Sequence, residues 1–271
     1  MTPAGNPHVN PAVARPSGAP PAGHGQPGAR HGQATSFGAA AAEYERGRPP
    51  YPAAAIDWLL PPGAARVADV GAGTGKLTKQ LRERGVEVIA VEPLAGMREQ
   101  LRRAVPGVAV LAGTAEQIPL ADGSVDAVLV AQAWHWVTPG RAIPEVARVL
   151  SPGGRLGVLW NLRDERDGLV ARLSTIMQSW ESPDAGGHQP DFGEPFGPVE
   201  RLDVEWVFRL SPGALVDYVA SRSYIITMEP QQRAHVLDSV RELVATYPSV
   251  AGASEVSLPQ VTRCSRADLP S

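Results

Sequence analysis

The sequence contains little of what several classes of protein require. Cysteine occurs once, at Cys264, which excludes an intrachain disulfide and a zinc site built from cysteines. The chain has 25 Lys+Arg and 28 Asp+Glu residues, which gives a net charge of −3. This balance does not indicate the basic surface that binding to nucleic acid requires. No run of 18 apolar residues is present, and the N-terminus lacks the apolar core of a signal peptide. We expect a cytoplasmic protein that binds neither nucleic acid nor membrane and holds no metal, as a monomer or a homodimer.

The chain of 271 residues, 43% of them hydrophobic, is long enough for one large domain. Residues 1–34 are rich in Pro, Gly and Ala and have no hydrophobic period, so we predict a disordered tail. Residues 35–271 are predicted to form a single domain. Within it we distinguish an N-terminal segment at 35–62, a core at 66–160 and a C-terminal part at 161–271.

Short apolar runs alternate with helical patterns along the predicted core. Strands are predicted at 67–70, 86–91, 108–111, 125–131 and 155–160. Because these runs are almost continuously apolar, they indicate a parallel sheet with helices on both faces. Later in the chain, helices are predicted at 168–180, 212–221 and 230–247. Two late strands, at 204–210 and 255–263, are expected to pair antiparallel at the sheet edge, so the predicted class is α/β with a Rossmann-like sheet.

The first predicted strand ends in a glycine loop, V-A-D-V-G-A-G-T-G-K, at residues 67–76. Gly71, Gly73 and Gly75 allow a positive φ and place no Cβ between the loop and a ligand. The helix that follows begins with unpaired backbone N–H groups. This strand, turn and helix start are typical of a site for a nucleotide-like cofactor.

The spacing of the glycines bears on which cofactor fits. The dinucleotide fingerprint G-x-G-x-x-G/A requires a small residue where this chain has Lys76, and the third glycine comes one residue early. Glu92 ends the second predicted strand, where an acid can accept both ribose hydroxyls of a nucleoside. Since NAD enzymes share that acid, Glu92 supports a nucleoside without choosing between cofactors. The alternative is a solvated carboxylate at a strand end.

Several further segments of the core match one family in order and spacing. They are G-T-A-E-Q-I-P-L (113–120), D-A-V-L-V-A-Q-A-W-H-W (126–136) and L-S-P-G-G-R (150–155). With the glycine loop and Glu92, they resemble the class I S-adenosylmethionine-dependent methyltransferases. R-P-P-Y-P (48–52) and W-N-L-R-D-E (160–165) are similar to the trans-aconitate methyltransferase branch. The resemblance implies a seven-stranded sheet with its last strand antiparallel, and S-adenosylmethionine along the C-terminal edge.

The resemblance also implies which residues contact that cofactor. They are Asp69, Gly71, Ala72, Gly73, Gly75, Glu92, Pro93, Ala115, Glu116, Gln132, Tyr44 and Arg48. Many members have an Asp where this chain has Thr114, so adenine recognition passes to the Ala115 N–H and the Glu116 carboxylate, unless Glu116 is a simple loop charge. Tyr44 and Arg48 lie on the segment that closes over the cofactor in the family. For Arg48 the alternative is a solvated arginine.

Candidate catalytic and substrate residues follow the fourth and fifth strands. His135 comes just after the fourth strand, at the edge where ligands bind, and imidazole titrates near neutrality, so it is the candidate general base. It can equally be a packed wall of the pocket. Trp134 and Trp136 are candidate substrate residues, with core or pocket packing as the alternative. Arg163, after the fifth strand, is a candidate partner for an acidic substrate, with a solvated arginine as the alternative.

These observations predict transfer of a methyl group from S-adenosylmethionine to a small molecule, with O-methylation of an organic acid as the specific expectation. Two alternatives remain at this point. One is an NAD(P)-binding oxidoreductase, disfavoured by Lys76. The other is a cofactor-binding protein that acts by interaction without catalysis.

Overall fold

Seven strands form one sheet in the order β3-β2-β1-β4-β5-β7-β6. The structure is a computed structural model that describes residues 48–178 and 190–271. The strands are β1 (Arg66–Val70), β2 (Glu87–Val91), β3 (Ala109–Leu111), β4 (Val125–Ala131), β5 (Leu150–Arg163), β6 (Glu200–Leu210) and β7 (Val256–Asp268). The pairings of β1 to β5 are parallel, and β7 runs antiparallel to both β5 and β6. The predicted Rossmann-like sheet with an antiparallel last strand is confirmed.

Helices pack against both faces of the sheet and against the ends of β6 and β7. They are α1 (Ala53–Leu59), α2 (Lys76–Arg82), α3 (Ala95–Ala104), α4 (Pro139–Val149), α5 (Gly168–Gln178), α6 (Pro212–Ala220), α7 (Ser223–Ile226) and α8 (Pro230–Thr246). A 3-10 turn spans Trp134–Trp136. In the part of the chain that the structure describes, no helix has the length and apolar character needed to cross a membrane.

The apolar runs are buried because successive residues of a strand face opposite sides of the sheet. In β1, Ala68 packs into one core with α4, whereas Val67 packs into another with α1 and α2. A third core joins α5, α6 and α8 to the ends of β6 and β7. All residues of this third core come from the C-terminal part of the chain, after β5.

The late strands are longer than the sequence predicted. β6 begins at Glu200 rather than residue 204, β7 continues to Asp268 rather than ending at 263, and β5 spans Leu150–Arg163 rather than 155–160. Pairing with the neighbouring strand extends them past their apolar runs. A bidentate ion pair reinforces the end of β7: the Arg155 guanidinium donates to the Asp268 carboxylate at 2.6 and 2.9 Å.

The predicted helices of the C-terminal part are found with ends within one or two residues of those expected, except at 179 and 180, which lie outside the described residues. The short helix α7 was missed, because four residues carry too little periodicity to predict a helix. The division of the chain into a tail and a single domain stays a prediction.

Candidate functional site

The glycine loop uses its three glycines in two ways. Gly71, Gly73 and Gly75 have φ of 73°, 57° and 94°, as the sequence predicted. A Cβ at Gly71 would lie 2.8 Å from the Cβ of Ala133, and one at Gly75 would lie 2.9 Å from the Cγ of Leu101. A Cβ at Gly73 would meet no described atom within 4 Å. Gly71 and Gly75 therefore allow close packing, and Gly73 alone leaves the space open for a ligand.

Gly73 lies on a cleft, open to solvent, at the carboxyl ends of β1 and β4. Ligands of open α/β sheets bind at this edge. The cleft brings together six of the predicted site residues and six others. It is lined by Arg48, Pro49, Tyr51, Asp69, Gly71, Ala72, Gly73, Thr74, Lys76, Leu77, Ala131 and Gln132.

Glu92 is 5% exposed, which contradicts the alternative of a solvated strand end. Its Oε2 accepts from the Gly73 N–H at 2.9 Å and its Oε1 from the Leu94 N–H at 2.8 Å. Burial raises the pKa of this carboxyl, and the two amide bonds oppose that change. Pro93 sets the turn between the acid and Leu94, and its carbonyl accepts from Arg98 at 2.6 Å. Glu92 is thus held against the loop with its orientation fixed.

Asp69 is fully buried at the end of β1, yet it also lines the cleft. Its Oδ2 accepts from the Thr78 hydroxyl at 2.5 Å, whereas its Oδ1 has no hydrogen-bond partner among the described residues. Burial, and to a smaller extent the charge of Glu92, raises its pKa to about 7 against the lowering effect of Thr78. A buried carboxylate oxygen without a partner is costly and suggests that a ligand group completes the site.

Gln132 directly follows β4 and has a φ of 57°. Among the described residues, it is the residue other than glycine that has a positive φ. Its N–H donates to the Leu159 carbonyl at 2.9 Å, and its Nε2 donates to the Asn161 carbonyl at 3.3 Å. Left-handed backbone at such a residue is uncommon and tends to occur at functional sites. The conformation turns the chain out of β4 along the cleft.

The N-terminal segment is attached to the cleft by contacts that the sequence did not predict. The Tyr51 N–H donates to Gln80 Oε1 at 2.9 Å, and Gln80 Nε2 returns a bond to the Tyr51 carbonyl at 2.7 Å. Asn161 Nδ2 donates to the Pro50 carbonyl at 2.9 Å. Arg48 lines the cleft and also donates to the Ser221 carbonyl at 3.4 Å. Tyr44 lies outside the described residues.

The predicted adenine contacts lie in a loop closed by reciprocal backbone bonds between Thr114 and Gln117, each 3.2 Å. Ala115 is 5% exposed. The Glu116 carboxylate accepts from the Thr138 N–H at 2.8 Å, at the start of α4. Glu116 therefore anchors the first turn of that helix, a role that neither of its predicted interpretations included.

The three residues of the 3-10 turn, Trp134, His135 and Trp136, have different surroundings. Trp134 is 6% exposed and packs edge to face on Phe192 at 5.6 Å, so the core interpretation is confirmed for it. Trp136 is 59% exposed, so the same interpretation is wrong there. His135 is exposed too, with its ring 4.8 Å from that of Trp136. None of the three is among the residues that line the cleft.

Arg163, at the end of β5, donates from Nε to the Ser174 hydroxyl of α5 at 2.8 Å. Its neighbours include the buried Tyr218 of α6 and, beside it, Arg222. The sequence analysis missed these two residues, since nothing in the pattern of residues 212–222 distinguishes them from a helix and the turn that follows it.

Comparison with known proteins agrees with this geometry. A family model described as a methyltransferase domain matches residues 68–158. An uncharacterized methyltransferase of Mycobacterium tuberculosis is 57% identical over 240 residues, which cover 89% of this chain and 98% of the relative. The chain belongs to the class I S-adenosylmethionine-dependent methyltransferases.

Other relatives and a solved structure support the same family. A methyltransferase-like protein of Schizosaccharomyces pombe is 32% identical and covers 80% of this chain and 89% of its own length. A demethylmenaquinone methyltransferase of Renibacterium salmoninarum is 38% identical over 71% of this chain and 68% of its own. A structure described as a type II methyltransferase from Anaeromyxobacter dehalogenans matches with a TM-score of 0.64 and 26% identity, over 83% of this chain and 99% of that one. The trans-aconitate branch stays a prediction for this methyltransferase.

Proposed function

We propose that this methyltransferase transfers a methyl group from S-adenosylmethionine to an oxygen of a small organic acid. The observation that carries the cofactor assignment is the unpartnered Oδ1 of the buried Asp69, which lines the cleft together with Gly73. Glu92 lies behind the loop and accepts from the Gly73 N–H. A nucleoside joined to an amino acid brings hydroxyl and ammonium donors, which are the groups that such acceptors require.

The residues of the cleft fit the parts of this cofactor. Each Glu92 oxygen accepts one backbone N–H and keeps a second lone pair, which a ribose hydroxyl can use. Asp69 Oδ1 would accept from the ammonium group of the methionine part. Gly73 leaves room for the chain between them. Ala115 and Glu116 are retained as the proposed adenine contacts, with Pro93, Gln132 and Arg48 as further cofactor contacts.

S-adenosylmethionine supplies a methyl group that is already activated by its sulfonium, so the chain has to align donor and acceptor and exclude water. The segment of Arg48, Pro49 and Tyr51 lines one side of the cleft and is tied to both α2 and β5. It therefore serves as the wall that separates the reacting groups from solvent. Tyr44, which lies outside the described residues, is retained as a proposed cofactor contact.

Arg48 and Arg163 favour an acidic acceptor, because a planar guanidinium matches the geometry of a carboxylate. The oxygen that accepts the methyl group is assigned to a carboxylate other than the one bound by these arginines; it is ionised at neutral pH and needs no base. His135 is exposed and does not line the cleft, so this proposal assigns it no role as a base. A role in orienting the acceptor stays a proposal.

Calorimetry with S-adenosylmethionine, S-adenosylhomocysteine and NADH tests the cofactor. We expect the first two to bind wild type and NADH to show no heat. Binding of NADH alone would overturn the proposal and restore the oxidoreductase alternative.

A panel of acceptors with radiolabelled methyl donor tests the second half of the proposal. It should include organic acids, their amides and a demethylmenaquinone. We expect label in the acids. Label in the quinone or in protein, with the acids inert, would contradict the proposed acceptor and leave the cofactor in place. No transfer to any acceptor, with the cofactor bound, would favour the non-catalytic alternative.

A further inference from the structure

Four side chains from distant parts of the sequence meet where the third core reaches the cleft. They form what we call the arginine–tyrosine cluster: Arg48, Arg163, Arg222 and Tyr218. Tyr218 lies on α6 and is fully buried, and Arg222 follows one helical turn later. Arg163 is the last residue of β5. Arg48 comes from the N-terminal segment and links the cluster to the cleft.

The cluster is held by direct contacts. Arg222 Nη2 donates to the Tyr218 hydroxyl, and its guanidinium carbon lies 4.4 Å from the centre of the Tyr218 ring. Arg48 donates to the carbonyl of Ser221, the residue before Arg222. The Tyr218 hydroxyl and the Ser221 carbonyl are neutral acceptors, so these two contacts position the guanidinium groups of Arg222 and Arg48 without adding a negative charge.

The positive charges of the arginine–tyrosine cluster shift the pKa values of Arg222 and Tyr218. The pKa of Arg222 is lowered by burial first and then by the charges of Arg48 and Arg163, with Tyr218 opposing. Burial alone would raise the pKa of Tyr218, but the three guanidinium groups outweigh it and hold that pKa below its ordinary value. Tyr224 also raises the pKa of Arg222, and none of the main influences on Arg222 is a carboxylate. A buried guanidinium that is surrounded by other positive charges destabilises the folded state. The presence of Arg222 at this position therefore favours a functional role for it.

Unpartnered polar atoms point to a ligand. Arg222 is 9% exposed, and its Nε has no hydrogen-bond partner among the described residues. Gln260 is 1% exposed, and neither atom of its side-chain amide has a partner there. Gln260 pairs in register with Arg163 across β5 and β7, so both side chains leave the sheet on the same face. Buried donors that lack an acceptor are completed by an anion better than by water alone.

We propose that the arginine–tyrosine cluster binds an oxyanion group of the acceptor, a carboxylate or a phosphate, at a point remote from the atom that is methylated. An oxyanion neutralised by three guanidinium groups is a poor nucleophile, so the group bound here anchors the acceptor. The acceptor then carries at least two polar groups, one held by Arg222 and one presented to the cleft past Arg48. This inference rests on the proposed function for the methyl-transfer step only.

Binding of simple anions to the full-length chain tests the site without any methyl transfer. The probes are succinate, inorganic phosphate and the neutral succinamide, followed by calorimetry and thermal unfolding. We expect one of the two anions to bind and raise the melting temperature, and succinamide to do neither. Preference between the anions identifies the group as carboxylate or phosphate, and equal inertness of all three overturns the proposal.

The variant Arg222→Met removes the buried guanidinium and keeps the length of the side chain. Loss of a charged hydrogen-bond donor should weaken anion binding by roughly ten- to a hundredfold. Without anion, the variant should melt at or above the wild-type temperature, because a crowded buried charge is gone. Arg241→Met is the control, since Arg241 is an exposed arginine paired with Asp238 on α8, and it should bind the anion like wild type. A purely structural Arg222 would instead lower the melting temperature and leave anion binding unchanged, which overturns the proposal.

Titration of Tyr218 gives a second measurement, which does not require the Arg222→Met variant to fold. A bound anion offsets the guanidinium charges, so the pKa of Tyr218 should rise, seen in the ultraviolet absorbance of its phenolate as pH increases. Tyr218→Phe identifies this signal among the 5 tyrosines. An unchanged Tyr218 titration at saturating anion would overturn the proposal.

Failure of the site and failure of the proposed function give different results. Anion binding that Arg222→Met abolishes supports the site, even if no organic acid is ever methylated. In the methyl-transfer assay, Arg222→Met should raise the KM for an acidic acceptor and leave the Kd for S-adenosylmethionine unchanged. Transfer to acidic acceptors with an unaltered KM would overturn the anchor while the methyltransferase assignment stands.

Discussion

Replacing Asp69 by asparagine should change how the stability of the protein depends on pH. Asp69 is fully buried, and its pKa is raised from 3.8 to about 7. Between these two values the unfolded chain has lost the proton and the folded protein retains it. The folded state therefore binds more protons in this window, so its stability falls as pH rises from about 4 to about 7.

The size of the loss follows from the two pKa values. Each tenfold change in proton affinity is worth about 1.4 kcal/mol, so the interval from 3.8 to about 7 corresponds to roughly 4 kcal/mol. The loss is absent below the lower value and complete above the higher one. The asparagine side chain cannot ionise, and its oxygen can still accept from Thr78. Its amide nitrogen would occupy the position of the unpartnered Oδ1, at a cost that does not vary with pH.

Denaturant unfolding of wild type and Asp69→Asn across this pH range measures the difference directly. We expect the free energy of unfolding of the variant, relative to that of wild type, to increase by roughly 4 kcal/mol between acid and slightly alkaline pH. Taking the difference cancels the other carboxyl groups, which both proteins share. A difference that is flat with pH would show that Asp69 is ionised throughout and that burial does not raise its pKa.

The same residue makes a prediction about the cofactor. An ammonium group bound to Asp69 favours the carboxylate, so binding of S-adenosylmethionine near pH 7 should release a proton in wild type. Calorimetry in buffers of different ionisation heat would detect it. Asp69→Asn should bind without release, and equal proton release in both proteins would remove Asp69 from the ammonium site.

Four other substitutions test the proposed site and the backbone beside it. Gly73→Val should abolish S-adenosylmethionine binding in calorimetry, with Gly85→Val as the control, because Gly85 shares positive φ and open space but lies away from the cleft; equal loss in both would indicate backbone strain. Glu92→Gln should weaken cofactor binding by about 1.5–3 kcal/mol in a chain of native circular dichroism, and unchanged affinity would exclude a ribose contact. His135→Ala should lower kcat well short of the roughly 10²–10⁴-fold loss of an essential base, a loss of that size being the contrary result. Gln132→Val should cost about 1–2 kcal/mol of unfolding free energy more than Gln132→Gly, and equal stabilities would show that φ there relaxes freely.

Much of the fold could be predicted because its signals are local. The glycine loop requires positive φ at three positions, and only certain residues allow it. Runs such as 125–131, apolar at nearly every position, indicate buried parallel strands wherever they occur. The acid at Glu92 could be placed at the carboxyl edge because parallel strands end together there. The order of these elements was enough to identify the methyltransferase family.

The ends of the late strands were not predictable in the same way. Residues 264–268 continue β7 because they pair with β5, and the ion pair of Asp268 with Arg155 joins positions 113 apart in sequence. Glu116 likewise became an anchor for α4 through a backbone group far along the chain. Such partners are chosen by packing, and no periodicity records them.

The sequence by itself determined the sheet, the glycine loop and the position of Glu92 at the end of β2, because dihedral limits and apolar patterning act over a few residues. Only the tertiary structure decided the charge state of Asp69, which depends on how completely the chain excludes water around it. It also decided that Arg48 meets Ser221, 173 positions away, and so brings three arginines around Tyr218. Electrostatic energies depend on distance and burial in space, and both are set by the packing of the whole chain.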